Sequence, residues 1–400
     1  MAKETILLAF SGGLDTSVCV KWLQEKHDAR VVTLTVDLGM VDLEEIRQRA
    51  LQIGAVDALT VDGREDFVRD YVFPALKAGA IYEEQYPLAT ALGRPLIAKY
   101  LVEAARRVGA GAIAHGCTGK GNDQVRIDVS VGALAPDLKV IAPVREWGWN
   151  REEEIEYAKR NGIPIQERNS RFSTDENLWG RSIEAGELED PWSEPPEDAF
   201  AWTNPISKTP EEPTYLEIAF ERGLPLSLDG EEMRSVDLVE HLNGIAGQNG
   251  IGRIDHIENR LVGIKSREVY ESPAGVVLHA AHKALEAMTL SKDQARMKQR
   301  VAQEYSDMVY NGLWFTAHRR DLDAYVESTQ RHVTGSVRVR MHRGSCTVVG
   351  RRAPRGLYSH QLATYDRGDT FDHRASEGFI AIYGLPVRTQ TRTQGEGEEA

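Results

Sequence analysis

The sequence has 400 residues, of which 41% are hydrophobic, and its formal net charge at pH 7 is −13. A chain of this length can bury a large core and is expected to form two or three domains. The negative charge argues against a nucleic-acid partner, because gripping a nucleic-acid backbone needs a basic surface. The three cysteines have no zinc-type spacing and are too few for a disulfide scaffold, which favours a reducing compartment.

The N-terminus and the hydropathy predict a cytoplasmic protein with no membrane partner. The first strand is expected to begin near residue 5, which leaves no room for a signal peptide. No apolar stretch approaches the ~20 residues that a membrane-spanning helix needs.

The N-terminal part of the chain alternates short β-rich runs with helical patterns. Five runs have the character of buried strands: Ile6–Phe10, Val31–Val36, Ala58–Val61, Ala112–His115 and Lys139–Pro143. Apolar residues at helical spacing predict helices at Ser17–Lys26, Leu43–Ile53, Arg64–Ala78, Pro95–Val108 and Arg151–Asn161. This alternation predicts a doubly wound α/β domain with a parallel sheet.

The character of the chain changes after this domain. From Glu187 to Thr214 it is acidic and rich in proline, which is typical of an extended linker or surface excursion, either ordered or disordered. A second, α+β domain should follow, with strands Tyr215–Phe220, Leu224–Leu228, Val337–Met341 and Cys346–Val349 and helices Val236–Ala246, Ala274–Met288 and Lys292–Asn311. The last residues, from about Thr389 to Ala400, are polar and repetitive, and we expect them to be disordered.

The loop Ser11-Gly12-Gly13-Leu14-Asp15-Thr16-Ser17 stands between the first strand and the first helix. Adjacent glycines allow close backbone approach, and hydroxyl groups at a helix N-terminus form an anion site. The GxxxxGK[ST] pattern of a Walker A loop is missing. Asp15 suits a phosphate site only if a divalent cation lies between them or if the side chain turns back onto loop amides. The loop therefore suits a leaving pyrophosphate, and an ordinary capped strand–turn–helix connection is the alternative.

A second glycine-rich loop, residues 114–126, follows another predicted strand and should lie beside the first loop at the carboxyl edge of the sheet. Arg126 can bind an anionic group, while Asn122 and Asp123 can bind polar or ammonium groups. The alternative is a solvated turn with a helix N-cap at Asn122 or Asp123. His115 is either a proton handler near the phosphates or a core histidine that closes the strand.

Several motifs carry a family resemblance. SGGLDTS resembles the pyrophosphate loop of the N-type ATP pyrophosphatases, a superfamily that includes several synthetases and tRNA-thiolating enzymes. HGCTGKGNDQVR at 115–126 is highly specific and resembles the argininosuccinate synthetase family. Further matches lie at residues 86–95, 173–178 and 252–275 and in the Leu313-Trp-Phe region, so that the resemblance runs from about residue 5 to about residue 385.

This resemblance implies a ligase of arginine biosynthesis and the urea cycle. ATP would adenylate the ureido oxygen of L-citrulline and release pyrophosphate, and the α-amine of L-aspartate would then expel AMP to give argininosuccinate. It also implies a homotetramer whose C-terminal segments reach onto neighbouring subunits. Mg²⁺ is expected from the ATP chemistry and from Asp15, with ligands supplied either by Asp15 or mainly by the nucleotide. The implied domains are an ATP-binding domain at 1–168, a synthetase domain at 169–360 that includes the excursion 187–214, and a C-terminal segment at 361–400.

The resemblance also implies roles for individual residues. ATP would be held by Ala9, Phe10, Ser11, Gly12, Gly13, Leu14, Asp15, Thr16, Ser17 and Gly116, with the backbone of Val36 beside the adenine. Aspartate would be bound by Thr118, Asn122 and Asp123, with Asp123 facing its amine. Citrulline would be bound by Tyr86, Thr90, Asn122, Arg126, Ser173, Ser182, Glu258 and Tyr270. Catalytic roles would fall to Asp15, His115, Asp123 and Arg126.

Two positions depart from the family pattern. Ala91 stands where the family often has a small hydroxyl residue, so a contact there must come from the backbone or from Thr90. Met40 stands where glutamine is usual. Each position is either peripheral or part of the expected citrulline and adenosine pockets.

Two alternatives to a synthetase follow from the same sequence. A tRNA-thiolating enzyme would use reactive cysteines, and Cys19 and Cys117 could meet near the nucleotide loops; the acidic composition weighs against it. A binding or assembly protein that only keeps the fold is the second alternative, and the undamaged loops weigh against that.

Overall fold

The N-terminal half is built around a five-stranded sheet. In the computed structural model, which describes residues 3–39, 42–165 and 171–395, the strands are β1 Thr5–Ala9, β2 Arg30–Asp37, β3 Asp57–Asp62, β4 Ala112–Ala114 and β5 Lys139–Ile141. All four pairings are parallel, and the order is β3-β2-β1-β4-β5. This sheet confirms the predicted doubly wound α/β domain. Met40 lies outside the described residues.

Helices cover both faces of this sheet. They are α1 Leu14–His27, α2 Leu43–Ile53, α3 Arg64–Phe67, α4 Phe73–Ala78, α5 Ala89–Val108, α6 Asp123–Leu134, α7 Pro143–Trp147 and α8 Arg151–Arg160. Ile6 and Leu8 pack in one cluster with Val18 of α1, whereas Leu7 packs in another with Leu101 of α5. Burial on both faces explains why the strands are almost continuously apolar.

Three predicted boundaries in this half were wrong. The helix predicted over 64–78 is divided by a π-helical turn at Val68–Val72. Helix α5 begins at Ala89, and Pro95 lies inside it; the extra turn is buried in the main core with Trp179, and such packing overrides propensity. Pro143 starts α7 instead of ending a strand, because proline is well tolerated in the first turn of a helix.

The chain then forms two antiparallel sheets. The strands are β6 Ser173–Asn177, β7 Gly180–Glu184, β8 Thr214–Glu221, β9 Leu224–Leu228, β10 Glu231–Glu232, β11 Arg253–Asn259, β12 Lys265–Glu271, β13 Gly335–His342 and β14 Ser345–Arg352. One sheet has the order β11-β12-β7-β6 and the other has the order β10-β9-β8-β13-β14. The accompanying helices are α9 Ser235–Gln248, α10 Pro273–Thr289, α11 Lys292–Tyr310 and α12 Ala317–Thr329.

The proline-rich excursion is ordered. It contains short 3₁₀ turns at Gly186–Glu189, Glu197–Ala199 and Ile206–Lys208. The fully buried carboxylate of Glu271 accepts hydrogen bonds from the backbone N–H groups of Ala201, Trp202 and Thr203, each at 2.9 Å. Arg181 donates to the same carboxylate at 3.0 Å. One side chain of β12 thus anchors the excursion to the sheet.

The contacts divide the chain after Arg355, and the C-terminal unit is helical. It contains α13 His360–Ala363, α14 Ala375–Tyr383 and α15 Leu385–Gln394. The expected disorder is therefore wrong for residues 389–394, because the helix that starts beside Pro386 continues through the polar repeat. Residues 396–400 lie outside the described part. Within the described ranges, no helix is long and apolar enough to cross a membrane.

We predict that Glu271→Ala lowers the free energy of unfolding by about 3–5 kcal/mol, because it leaves Arg181 and three backbone N–H groups without their buried partner. Urea titration measures this change. The matched control is Glu189→Ala, an exposed carboxylate in the excursion, which should stay within about 0.5 kcal/mol of the parent. Equal stability of the two variants would contradict the anchoring role.

Candidate nucleotide and substrate site

The loop after β1 is held open by its own hydrogen bonds. Gly12 has φ +76°, a left-handed conformation that glycine adopts without strain. The Ser11 Oγ accepts from the Gly13 N–H at 3.3 Å, and the Thr16 hydroxyl donates to the Gly13 carbonyl at 3.3 Å. Among the described residues, the buried Ser17 Oγ has no hydrogen-bond partner. The loop therefore presents amides and hydroxyls at the N-terminus of α1.

The loop after β4 touches this first loop. A Cβ on Gly116 would lie 3.0 Å from the Thr16 Cγ2 and 3.5 Å from the Thr16 N, so a larger residue would fit only if the Thr16 methyl group shifted by a few tenths of an ångström. The contact follows from the sheet order, since β1 pairs with β4 in parallel and both loops leave the same edge. Phe10 is fixed by a hydrogen bond from the Thr35 hydroxyl to its carbonyl, at 2.9 Å. Val36 lies on β2, and Ala9 ends β1.

Asp15 does not turn back onto the loop. Its Oδ1 accepts from the Arg151 Nη1 at 2.8 Å, and the same Arg151 atom lies 3.5 Å from the Glu154 Oε2. Burial, and then the charge and hydrogen bonding of Asp15, raise the pKa of Glu154 to about 7. Asp15 thus belongs to a carboxylate pair that Arg151 bridges at the start of α1.

His115 is buried and both of its ring nitrogens have protein partners. Its Nδ1 accepts from the Cys117 N–H at 3.2 Å, so the proton of the neutral ring belongs on Nε2, which lies 2.7 Å from the Asp128 Oδ1. Burial opposes ionisation of Asp128, but the His115 hydrogen bond and Arg145 together lower its pKa. This geometry suits a residue that holds the strand end in place.

The two cysteines near the loops are poorly suited to thiolate chemistry. Burial, with the nearby charge of Asp15, raises the pKa of Cys19 well above its usual value. Burial and Asp123 raise the pKa of Cys117 to about 12. Because the thiolate is the reactive form, neither thiol has the activation that a thiolating enzyme needs.

A network of charged groups lies beyond the second loop. The Asp123 carboxylate accepts from the Arg94 Nη2 at 2.7 Å and from the Arg126 Nη1 at 2.9 Å. Burial opposes its ionisation, but the two guanidinium groups lower its pKa to about 2. Arg94 also pairs with Asp175. Burial and the charge of Asp123 raise the pKa of Asp175. The Arg126 Nη2 is buried and has no partner among the described residues, so it has free N–H groups for a ligand.

An ionised glutamate lies next to this network. The Glu258 Oε2 accepts from the Tyr270 hydroxyl at 2.6 Å, and Oε1 accepts from the Tyr310 hydroxyl. Burial opposes its ionisation, but His256, whose Nε2 lies 3.6 Å from Oε2, and the hydrogen bonds from Tyr270 and Tyr310 lower its pKa. The ring of Tyr86 stacks on that of Tyr270 at 4.1 Å. The structure therefore brings residues from both halves of the chain into one site.

Of the remaining predicted residues, Ser182 and Thr90 are connected to this site by their neighbours, whereas Ser173 and Thr118 are exposed. Ser182 is the register partner of Tyr270 on one side and of Asp175 on the other. Ser173 lies at the exposed start of β6, and Thr118 is exposed on the second loop. Thr90 and Tyr86 share a hydrogen bond of 2.8 Å between their hydroxyl groups.

Sequence reasoning missed four residues of the site. Arg94 and Asp175 lie inside motifs that matched the family, and their charge was the only sequence signal that could have identified them as site residues. Glu154 belongs to a helix whose many charges look like a solvated face. Tyr310 ends an amphipathic helix and gave no signal, because an aromatic residue at helical spacing is indistinguishable from a core residue.

Comparison with known proteins gives a consistent result. The family model of the arginosuccinate synthase N-terminal HUP domain matches residues 5–164, and that of the arginosuccinate synthase C-terminal domain matches residues 172–390. An argininosuccinate synthase of Dehalococcoides mccartyi is 56% identical over 398 residues, which are 99% of this chain and 98% of the relative. The argininosuccinate synthase of Rubrobacter xylanophilus is 59% identical over 387 residues, with 96% and 94% covered.

We predict that Glu154→Gln flattens the pH dependence of stability in nucleotide-free protein. The raised pKa of Glu154 means that its stabilising contribution is complete below its usual pKa of ~4.3 and is lost as the pH rises through about 7. The parent should therefore lose about 2 kcal/mol more than the variant between pH 5 and pH 8.

Urea titrations at the two pH values measure this difference. Glu152→Gln, an exposed carboxylate on the same helix, is the control and should follow the parent. If the parent and Glu154→Gln respond equally to pH, the raised pKa is contradicted.

Proposed function

The chain belongs to the argininosuccinate synthase family, which condenses citrulline and aspartate with ATP, and on this premise we propose how its residues divide the reaction. The protein is a ligase of arginine biosynthesis, and ATP is its co-substrate. We propose that it proceeds through a citrulline adenylate. The observation that carries the proposal is the contact between the two glycine loops beside a buried arginine that keeps free N–H groups.

ATP is proposed to lie with its triphosphate on residues 11–17 and its adenosine between Gly116 and Val36. The ureido oxygen of citrulline attacks the α-phosphorus, and the bond to the β-phosphate breaks. Amides and the helix N-terminus hold the negative charge of the departing pyrophosphate. The free Ser17 hydroxyl and the left-handed Gly12 support this placement.

Citrulline is proposed to bind between Arg126 and Glu258. The Arg126 fork suits the substrate carboxylate, and the ionised Glu258 suits its ammonium group. Tyr86, Thr90, Asn122, Ser173, Ser182 and Tyr270 complete this pocket in the proposal. The alignment of the ureido oxygen with ATP supplies much of the acceleration, because this oxygen is a weak nucleophile.

Aspartate is proposed to bind at Thr118, Asn122 and Asp123. Its amine attacks the activated carbon, and the bond to AMP breaks. Because its pKa is about 2, Asp123 is a weak base and acts by orienting the amine. His115 has no ring nitrogen free for a substrate proton, so we assign it the positioning of the loop after β4.

Mg²⁺ is proposed to arrive with ATP. Within the described ranges, no group of three or more His, Cys, Asp or Glu side chains could hold a metal ion. Asp15 lies at the phosphate end of the loop and fits a metal bound mainly by phosphate oxygens and water, as Mg²⁺ commonly is. Bound there, the ion would neutralise charge between the carboxylate and the phosphates.

We further propose a cytoplasmic homotetramer with the domains 1–168, 169–360 and 361–400. Helix α14 supports the oligomer, since Phe379, Ile382 and Tyr383 leave apolar surface exposed. Such surface on a single chain marks an interaction site.

The first test of the function is a pyrophosphate assay. We predict that release requires both ATP and citrulline, and that Arg126→Lys lowers kcat/KM for citrulline at least about 100-fold. The single ammonium group of lysine cannot bond Asp123, the Tyr310 carbonyl and a substrate carboxylate in the planar geometry of the guanidinium. Arg106→Lys, on an exposed ion pair, is the control and should match the parent. Pyrophosphate release at the same rate with and without citrulline would overturn the assignment.

The oligomer has its own test. Light scattering should give a mass near four times the chain's 44.6 kDa. The double variant Phe379→Asp with Ile382→Asp should give a smaller species, because charges at a buried interface cost several kcal/mol. Thr389→Asp, on exposed polar surface of α15, should leave the mass unchanged. A monomeric parent would refute the homotetramer.

A further inference from the structure

Tyr310, the last residue of α11, lies between two groups to which the proposed function assigns substrates. Its hydroxyl donates to the Glu258 Oε1 and accepts from the Asn122 Nδ2 at 2.8 Å. We propose that Tyr310 is a positioning residue that holds Glu258 and Asn122 in fixed relation for citrulline and aspartate. This inference rests on the proposed function of those two residues.

The hydrogen bonds that link Asn122, Tyr310 and Glu258 can have only one set of donors and acceptors. An amide NH₂ group can only donate and an ionised carboxylate can only accept. The phenol of Tyr310 must therefore receive from Asn122 and donate to Glu258. The other Asn122 atom is also fixed, because its Oδ1 accepts from the Leu261 N–H at 2.9 Å. The orientation of the Asn122 amide thus determines that of the Tyr310 hydroxyl, which in turn donates to Glu258.

The backbone and the ring of Tyr310 contact Arg126, a third residue to which the proposed function assigns a substrate. Its carbonyl oxygen accepts from the Arg126 Nε at 2.9 Å, and the Arg126 guanidinium lies 4.8 Å from the centre of its ring. The ring of Tyr82 stacks on that of Tyr310 at 3.6 Å. Tyr310 is only 1% exposed. It therefore connects α11 to the second loop, α6 and β11 at one point.

The surroundings of Tyr310 keep its hydroxyl protonated, so that it can donate a hydrogen bond. Burial and the charge of Glu258 raise the pKa of Tyr310 above its usual value, so the phenol stays neutral. Tyr270 donates to the other oxygen of Glu258. With a donor on each oxygen, the carboxylate keeps both its charge and its orientation toward an ammonium group.

A packing role for the ring is the competing explanation, and Tyr310→Phe separates the two. Phenylalanine keeps the stack on Tyr82, the ring beneath Arg126 and the backbone bond, and it removes only the hydroxyl. With each substrate varied in turn, we expect KM for citrulline to rise about tenfold, the scale of one hydrogen bond to a charged group. KM for aspartate should rise severalfold through Asn122, and KM for ATP should stay within about twofold.

The pH profile gives a readout that packing would not change. Glu258 loses a donor in Tyr310→Phe, so its pKa should rise and the acid limb of kcat/KM for citrulline should move to higher pH. Tyr305→Phe is the matched control, since Tyr305 is a buried tyrosine of the same helix and donates to the Asp323 carboxylate at 2.9 Å. It should leave all three KM values and the acid limb unchanged.

The failures of the two proposals are distinguishable when Glu258→Gln is measured alongside. If Glu258→Gln raises KM for citrulline and Tyr310→Phe changes neither this KM nor the acid limb, the inference on Tyr310 is overturned and the proposed function stands. If Glu258→Gln leaves KM for citrulline unchanged, the proposed role of Glu258 falls and the inference falls with it. A rise in all three KM values shared by Tyr310→Phe and Tyr305→Phe would assign the tyrosine to packing.

Discussion

The contact between two backbone turns is the constraint on which the nucleotide half of the molecule depends. Strands β1 and β4 pair in parallel, so their loops leave the sheet side by side, and a side chain on Gly116 would meet Thr16 in a tight contact. The first turn needs a left-handed residue at Gly12 to present its amides. Because these are backbone requirements, the proposed phosphate site has little need of a lysine.

The amino-acid half depends instead on buried charges that compensate each other. Asp123 is held between Arg94 and Arg126, and Glu258 between two phenols. Removing such charges from water is costly unless each one has a partner. The Arg126 Nη2 has no partner in the described part of the chain, and the carboxylate of the proposed citrulline would complete that network.

The sequence predicted the nucleotide half more fully than the amino-acid half. Strands β1 to β5 are apolar runs between amphipathic helices, so their order of appearance and the meeting of two loops could be inferred. Strand β6 reads Ser-Thr-Asp-Glu-Asn and lacks an apolar face, so the β6–β7–β12–β11 sheet was not predicted. The roles of Glu258 and Tyr270 came from family resemblance, since each residue alone looks like surface charge or core aromatic. Tyr310 was missed because hydrogen bonds between residues 52 positions apart leave no periodic signal.

Glu271 has a consequence that reaches beyond the excursion it anchors. It follows Tyr270 directly on β12, and side chains of successive strand residues lie on opposite faces. The Glu271 side chain therefore contacts the excursion, and the Tyr270 side chain contacts Glu258 in the proposed pocket. Slippage of β12 by a single position would exchange these two faces and place a carboxylate where the phenol belongs. The proline-rich stretch supplies no residue of the proposed site, yet it helps to set the register of a strand that lines the proposed pocket.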